Sequence, residues 1–228
     1  MPPPRSWPES LAASAAFRRG GAWRNRAQEE RRAALLDAAE GLFAAKGLLQ
    51  TGLQEIGAEI GLAPYAVRAQ FGNREMVLEA VLDRHMDRLI DRLGAYEAHA
   101  EAVDSAARLA EAVRTLLDLL WAYRAGQRVH VAAGRGGPSP HLARSLKLRQ
   151  RHVTHYYAGL IARAVPEAEG RTELAMPAAL SLMGMACWHV LWFREMGALS
   201  RAEYARLLAH MVVDGVRAAA LAGVGGLA

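Results

Sequence analysis

Residues 51–71, TGLQEIGAEIGLAPYAVRAQF, constrain this chain more than any other stretch. Leu53, Ile56 and Ile60 recur at i, i+3 and i+7, the spacing of one apolar helical face. Gly61 follows, and glycine supplies the positive φ with which a helix turns out sharply. Pro64 then suits the first position of a second helix, where its missing N–H has no partner in any case. Val67 and Phe71, four apart, share an inward face. Pro64, Tyr65, Ala66, Arg68 and Gln70 therefore fall on or near the outer one. Ahead of the first helix, Thr51 and Gln54 have the spacing of a capping box. Two short helices around a glycine turn, the second with a polar and aromatic outer face, have the form of a helix-turn-helix reader of the DNA major groove.

The flanks extend this pattern. Gln28 to Lys46 reads as a helix with Leu35, Ala39, Leu42 and Phe43 on one face, and Gly47 ends it. It can pack across the next two helices to give a three-helix unit. After Phe71, Gly72 stops the chain and Asn73 caps a longer helix from Arg74 to about Tyr96. Arg74 is poorly placed for the helix dipole in that first turn, which is tolerable if it faces a phosphate. Residues 1–27, with Pro2, Pro3, Pro4, Pro8 and several arginines, read as a disordered basic tail.

LLDAAEGLFAAKG followed by TGLQEIGAEIGLAPYAVRAQFGNREMVLEAVL resembles the N-terminal DNA-binding domain of the TetR family of transcriptional regulators. Ala38, Ala39, Leu42, Phe43, Gly47, Thr51, Ile56, Gly61, Phe71 and Arg74 carry the resemblance, over about residues 29–89. It implies an all-helical homodimer that holds an operator with two such units and releases it when a small molecule binds the C-terminal domain. The chain departs from the family in three places. Gly57 stands for the usual Ala, which should loosen that helix by up to about 1 kcal/mol. Tyr65 stands for a small residue. Arg68 stands where the family commonly has a Tyr on the DNA backbone. Arg68 therefore reads as a phosphate contact, although its planar fork also suits guanine O6 and N7. Thr51, Gln54, Pro64, Tyr65, Ala66, Arg68, Gln70 and Arg74 form the expected DNA-binding set.

Composition fits this reading without proving it. The chain has 228 residues, 52% of them hydrophobic, enough for a sizeable core, and a formal net charge of +5. Its single cysteine, Cys187, excludes an intrachain disulfide and suits a reducing compartment. No secretory pattern opens the sequence, so a cytoplasmic location is expected.

Beyond residue 100 the pattern stays helical. Leu109, Val113, Leu116, Leu120 and Trp121 form a stripe, Gly126 interrupts it, and Gln127 to Ala133 reads as a short segment before a loop at 134–140. His141 to Val165 is another long helix. Residues 174–193 carry no Asp, Glu, Lys or Arg and are long enough to span a bilayer. Pro177, Ser181 and His189 interrupt the run, which also suits a deeply buried or dimer-forming helix. Ser200 and Glu203 form a second capping box, opening an apolar helix to about 222.

The expected protein is all-α: a three-helix DNA-binding domain at 29–89, then a helical ligand-binding and dimerisation domain at 90–222. Its function is that of an operator-binding repressor released by an apolar or aromatic ligand. Trp121, Tyr123, Tyr156, Met183, Trp188 and Trp192 are the expected pocket, and the helices near 174–193 and 200–222 the expected homodimer contact. No metal or cofactor is called for. A membrane-associated helical scaffold and an all-helical enzyme are the rival readings; no nucleophile elbow, phosphate loop or metal-ligand cluster supports the latter.

Overall fold

The computed structural model describes residues 24–99, 104–135, 140–168 and 170–223. The expected tail at 1–27 lies outside these, except for its last four positions, which open the first helix. Nine α-helices follow one another among the described residues: α1 (Arg24–Lys46), α2 (Leu53–Glu59), α3 (Pro64–Phe71), α4 (Arg74–His99), α5 (Ser105–Ala122), α6 (Arg124–Arg135), α7 (Pro140–Ala164), α8 (Thr172–Trp192) and α9 (Arg201–Leu221). A short 3-10 turn, Pro166–Ala168, joins α7 to α8. No described residue is in a strand.

The helix boundaries have local chemical causes. Gly47, Gly61 and Gly72 take φ of 90°, 70° and 83°, conformations that L side chains resist. Asn73 Oδ1 accepts the Met76 N–H at 2.9 Å and so starts α4. At α9, the Glu203 N–H donates to Ser200 Oγ and the Ser200 N–H donates to the Glu203 carboxylate, the reciprocal box the sequence announces.

Two local expectations fail. The cap of α2 is Gly52, whose N–H donates to the Glu55 carboxylate at 2.9 Å; Gln54 takes no part. Thr51 is fully buried and its hydroxyl donates back to the Gly47 carbonyl at 3.0 Å, closing the loop from α1. Gly126 does not break the chain either. The break falls at Tyr123, and Gly126 lies inside α6, a full helix where a short segment was expected. A lone glycine costs a helix only about 1 kcal/mol, which tertiary packing offsets.

Gly57 is also better placed than its helix propensity suggests. A Cβ there would lie 2.5 Å from the Leu62 carbonyl oxygen and 3.2 Å from Val67 Cγ2. The Leu62 N–H donates to the Gly57 carbonyl at 2.8 Å, so the turn folds tightly back on α2. Glycine here is the condition for the close approach of α2 and α3.

The apolar side chains form two clusters. One gathers Leu35, Ala39, Phe43, Ile56, Val67, Phe71, Val77, Val81 and Leu82 from α1–α4, together with Val129 and Ala133 of α6 and Leu142 and Leu146 of α7. The other, larger cluster joins the second half of α4 to α5, α7, α8 and α9. The reader thus borrows core from two helices far along the chain.

Candidate nucleic-acid interface

On α3, Val67 is wholly buried and Phe71 nearly so, which fixes the helix's rotation about its axis. The remainder of the wheel follows. Pro64, Tyr65, Arg68 and Ala69 are exposed, Tyr65 by 78%, while Ala66 is half-buried. With its anchors Val67 and Phe71 four residues apart on the opposite side, the helix leaves this phenol ring in water, without a partner among the described residues. Gln54 is exposed on α2. The guanidinium of Arg32 on α1 lies 4.5 Å above the Phe71 ring, holding the far end of α3.

The other expected contacts are distributed differently. Thr51 is too deeply buried to offer its side chain to DNA. Gln70 is half-buried and lines a cleft between α1, α4 and α7. Arg74 is exposed, but its guanidinium donates to the Leu48 and Leu49 carbonyls at 3.3 and 3.4 Å. That contact ties the start of α4 to the end of α1 and compensates for the dipole mismatch.

The six residues expected to line one ligand pocket are spread over α5, α7, α8 and the turn after α5. Trp121 stands edge-on to Phe193, beside His189, with the guanidiniums of Arg124 and Arg201 over its ring. Trp192 packs edge-on to Phe193 and Tyr204. Tyr123 lies under Arg88. Tyr156 donates to the Glu97 carboxylate at 2.6 Å, and burial followed by that bond pushes its hydroxyl pKa up. Met183 is half-buried. Trp188, 42% exposed, carries Arg135 over its face. Two clefts, one of about 670 Å³ between α1, α4 and α7 and a smaller one at Asp118, Phe193, Glu195 and Arg201, are lined by none of the six.

On α8, Ala175, Ala179, Leu182, Ala186 and Val190 face the core, while Leu180, Ser181, Gly184, Trp188, Leu191 and Trp192 face out. This helix is long and apolar enough to cross a membrane by length and composition, with a third of its most apolar window buried in the chain. α9 adds exposed Leu207 and Met211.

A buried polar seam joins the two clusters, and the sequence pattern did not single it out. His85 on α4 is fully buried and its Nε2 lies 2.9 Å from Gln127 Oε1 on α6; the Gln127 amide donates to the Cys187 carbonyl on α8 at 3.1 Å. His130 on α6 pairs through Nε2 with Gln150 of α7 at 2.8 Å. Burial lowers the pKa of His85 to about 4, against the hydrogen bond to Gln127, and burial with the neighbouring His85 lowers that of His130 to about 4. Both rings are neutral at pH 7. The available signal was Gln127 and His130 at i and i+3 inside the short segment ahead of the 134–140 loop; on a full helix they share a face.

α4 is clamped on its flanks as well. Arg84 pairs with Asp37 and Glu40 of α1, both at 2.8 Å. On the other side Arg149 of α7 pairs with Asp83 at 3.1 Å and Asp87 at 2.5 Å, and His141 meets Glu79 at 3.0 Å. Glu79, Asp83 and Asp87 advance by four, as do His141, Ser145 and Arg149, so the two helices run side by side in the same direction.

A small helix-turn-helix unit with an unpartnered outer face, set on a larger helical body, defines the class of DNA-binding transcriptional regulators. Comparison with known proteins agrees. Residues 35–81 match the family model described as bacterial regulatory proteins, tetR family, and residues 102–216 match the tetracyclin repressor-like C-terminal domain. The chain belongs to the TetR family. It is 23% identical over 188 residues to the HTH-type transcriptional repressor KstR2 of Rhodococcus jostii (strain RHA1), covering 82% of this chain and 91% of that one. A TetR-family regulator from Bordetella parapertussis 12822 superposes with a TM-score of 0.70 at 20% identity, over 82% of this chain and 95% of that chain. AibR, in complex with isovaleryl coenzyme A and operator DNA, does so with a TM-score of 0.65 at 19% identity, over 79% and 97%.

Proposed function

We propose that this chain is a homodimeric, cytoplasmic repressor that holds a two-fold operator through α3 and lets go when an apolar effector binds the helical body. The observation that carries the reading is the division of α3: Val67 and Phe71 inside, Pro64, Tyr65 and Arg68 outside. Arg68 grips a phosphate and Tyr65 packs on sugar or a thymine methyl, with Gln54 beside them on α2. Paired units meet successive major grooves when their centres stand roughly 34–36 Å apart.

Dimerisation through α8 and α9 is supported by their outward apolar side chains. Ser181 and Gly184 are small enough to let a second helix approach, and Leu180, Leu191 and Met211 are left in water by the single chain. Release is a population shift: an effector preferring another separation of the two α3 helices weakens DNA binding by its differential affinity and no more. That AibR is known in complex with isovaleryl coenzyme A supports an effector with an apolar acyl part for a body of this fold. The aromatic side chains that pack on one another around Trp121 and Phe193 would part to admit it.

Selection of bound fragments from a genomic DNA pool tests this reading. A palindromic site bound better than its scrambled version is expected, and absence of any preferred duplex sinks the proposal. Arg68→Ala should then weaken all operator variants alike, by about 1–3 kcal/mol; relaxed preference at one base pair would instead mean base reading.

A further inference from the structure

The buried seam raises a question of economy. Gln127 is 1% exposed and His85 is fully buried, yet neither touches the outer face of α3. Hydrocarbon would fill the same space without desolvation cost. A satisfied polar chain does something hydrocarbon does not: it fixes one orientation of the helices that carry it.

The orientation can be worked out link by link. The Cys187 carbonyl can only accept, so the Gln127 amide must turn its NH2 toward α8. Its oxygen then faces His85, which must carry its proton on Nε2. Nδ1 of His85 is left bare, with no partner, against Gly126. A Cβ at 126 would lie 2.7 Å from that Nδ1 and 3.3 Å from Glu40 Oε1, so α6 crosses α4 and α1 at a separation set by glycine. α4 packs on α1, α3, α5, α6 and α7, and α8 packs on α5, α6, α7 and α9. α6 is a shared neighbour, and Gln127 is the side chain on it that hydrogen-bonds to both.

We propose that Gln127 is a positioning residue for operator binding: strung between the Cys187 carbonyl and His85, it sets the tilt of α4, and through α4 the separation of the two α3 helices. This rests on the dimeric operator-binding reading above. The outward side of α8 lies beside Cys187, at Trp188, so a displacement of α8 is transmitted to α4 through one amide. Loss of the link leaves α4 free to sample tilts that do not fit the operator.

The test uses the full chain and a duplex chosen by the wild-type protein. Gln127→Met removes both links. Gln127→Glu keeps the acceptor for His85 and loses the donor to Cys187. Gly126→Ala displaces His85 while adding helix propensity. All three should bind the chosen duplex about tenfold more weakly. Each variant should unfold at a somewhat lower temperature, since each leaves a buried polar group unpaired or crowded, but the folded proteins should bind a scrambled duplex as the wild type does. A role in packing alone would lower the melting temperature and leave specific binding intact. Full specific affinity in a folded Gln127→Glu or Gln127→Met protein overturns the proposal. So does a histidine ring nitrogen-15 spectrum of the wild type that puts the His85 proton on Nδ1, a result independent of whether any variant folds. If the wild type itself prefers no duplex, the operator reading fails and not this inference alone.

Discussion

The DNA-reading end and the helical body solve the same problem, burying one face of each helix, with opposite results at the surface. At the reading end the large apolar side chains left in water are Leu49, Tyr65 and Met76, scattered around a small core closed by Gly57, Thr51 and Glu55. In the body, Leu180, Trp188, Leu191, Trp192, Leu207 and Met211 all stand outside on α8 and α9. Single exposed apolar residues are ordinary, but six of them on two helices that pack on each other set this side of the body apart. The reading end completes its core with Val129, Ala133, Leu142 and Leu146 from α6 and α7 and keeps little apolar surface in water, whereas the body leaves a larger apolar face exposed.

That contrast is broken most severely at the α8–α9 face. Leu180→Glu with Met211→Glu should leave the single chain folded, since both side chains are already more than half exposed. Sedimentation should report a monomer, and operator affinity should fall about a thousandfold as the second reading unit becomes an independent binding event. A dimer that survives both charges would move the interface elsewhere.

Acid strikes the seam between the two regions. His85 and His130 have folded pKa values of about 4, below the ordinary 6.5. Between those pH values the unfolded chain binds more protons, so stability is full above pH 6.5, declines as pH falls, and levels off below 4. His85 faces Gln127 and His130 on α6, Glu40 across Gly126, and Arg88 on its own helix. From pH 7 to 5, the wild type should lose about 2 kcal/mol more than His85→Gln in urea unfolding. Equal losses would mean that His85 is charged in the fold.

Within the reading end, Gly57→Ala separates packing from propensity. Helix propensity alone favours alanine by about 1 kcal/mol. The clash with the Leu62 carbonyl should more than cancel this and leave a net destabilisation of about 1–2 kcal/mol in thermal or urea unfolding. The smallest effect lies at the edge of the body: Ser200→Ala removes the cap of α9 and should cost about 1 kcal/mol.

How far each region could be read from its residues follows from the same contrast. Gly61, Pro64, Gly72 and Asn73 act within a few residues of themselves, so α3 and the start of α4 were legible before any fold was known. The Thr51–Gln54 box was misassigned because Glu55 competes for the same role one residue later. α8 hid its orientation: a helix apolar all round gives no periodicity to say that Ala186 faces in and Trp188 out. Nothing in the run therefore told an outward Trp188 or Trp192 from an inward one. Gln127 and His85 were invisible for a different reason, since their pairing spans 42 residues and nothing local marks it.

The tight turn at Gly57 has a consequence for anyone exchanging operator preferences among relatives. Swapping only the outward residues of α3 leaves Val67, Leu62 and Gly57 in register, so the graft keeps its seat. Moving the turn together with α3, from Leu62 to Phe71, onto a chain with alanine at the position of Gly57 would drive a methyl group into the Leu62 carbonyl oxygen. The smallest portable cassette in this protein begins at Gly57 and ends at Phe71.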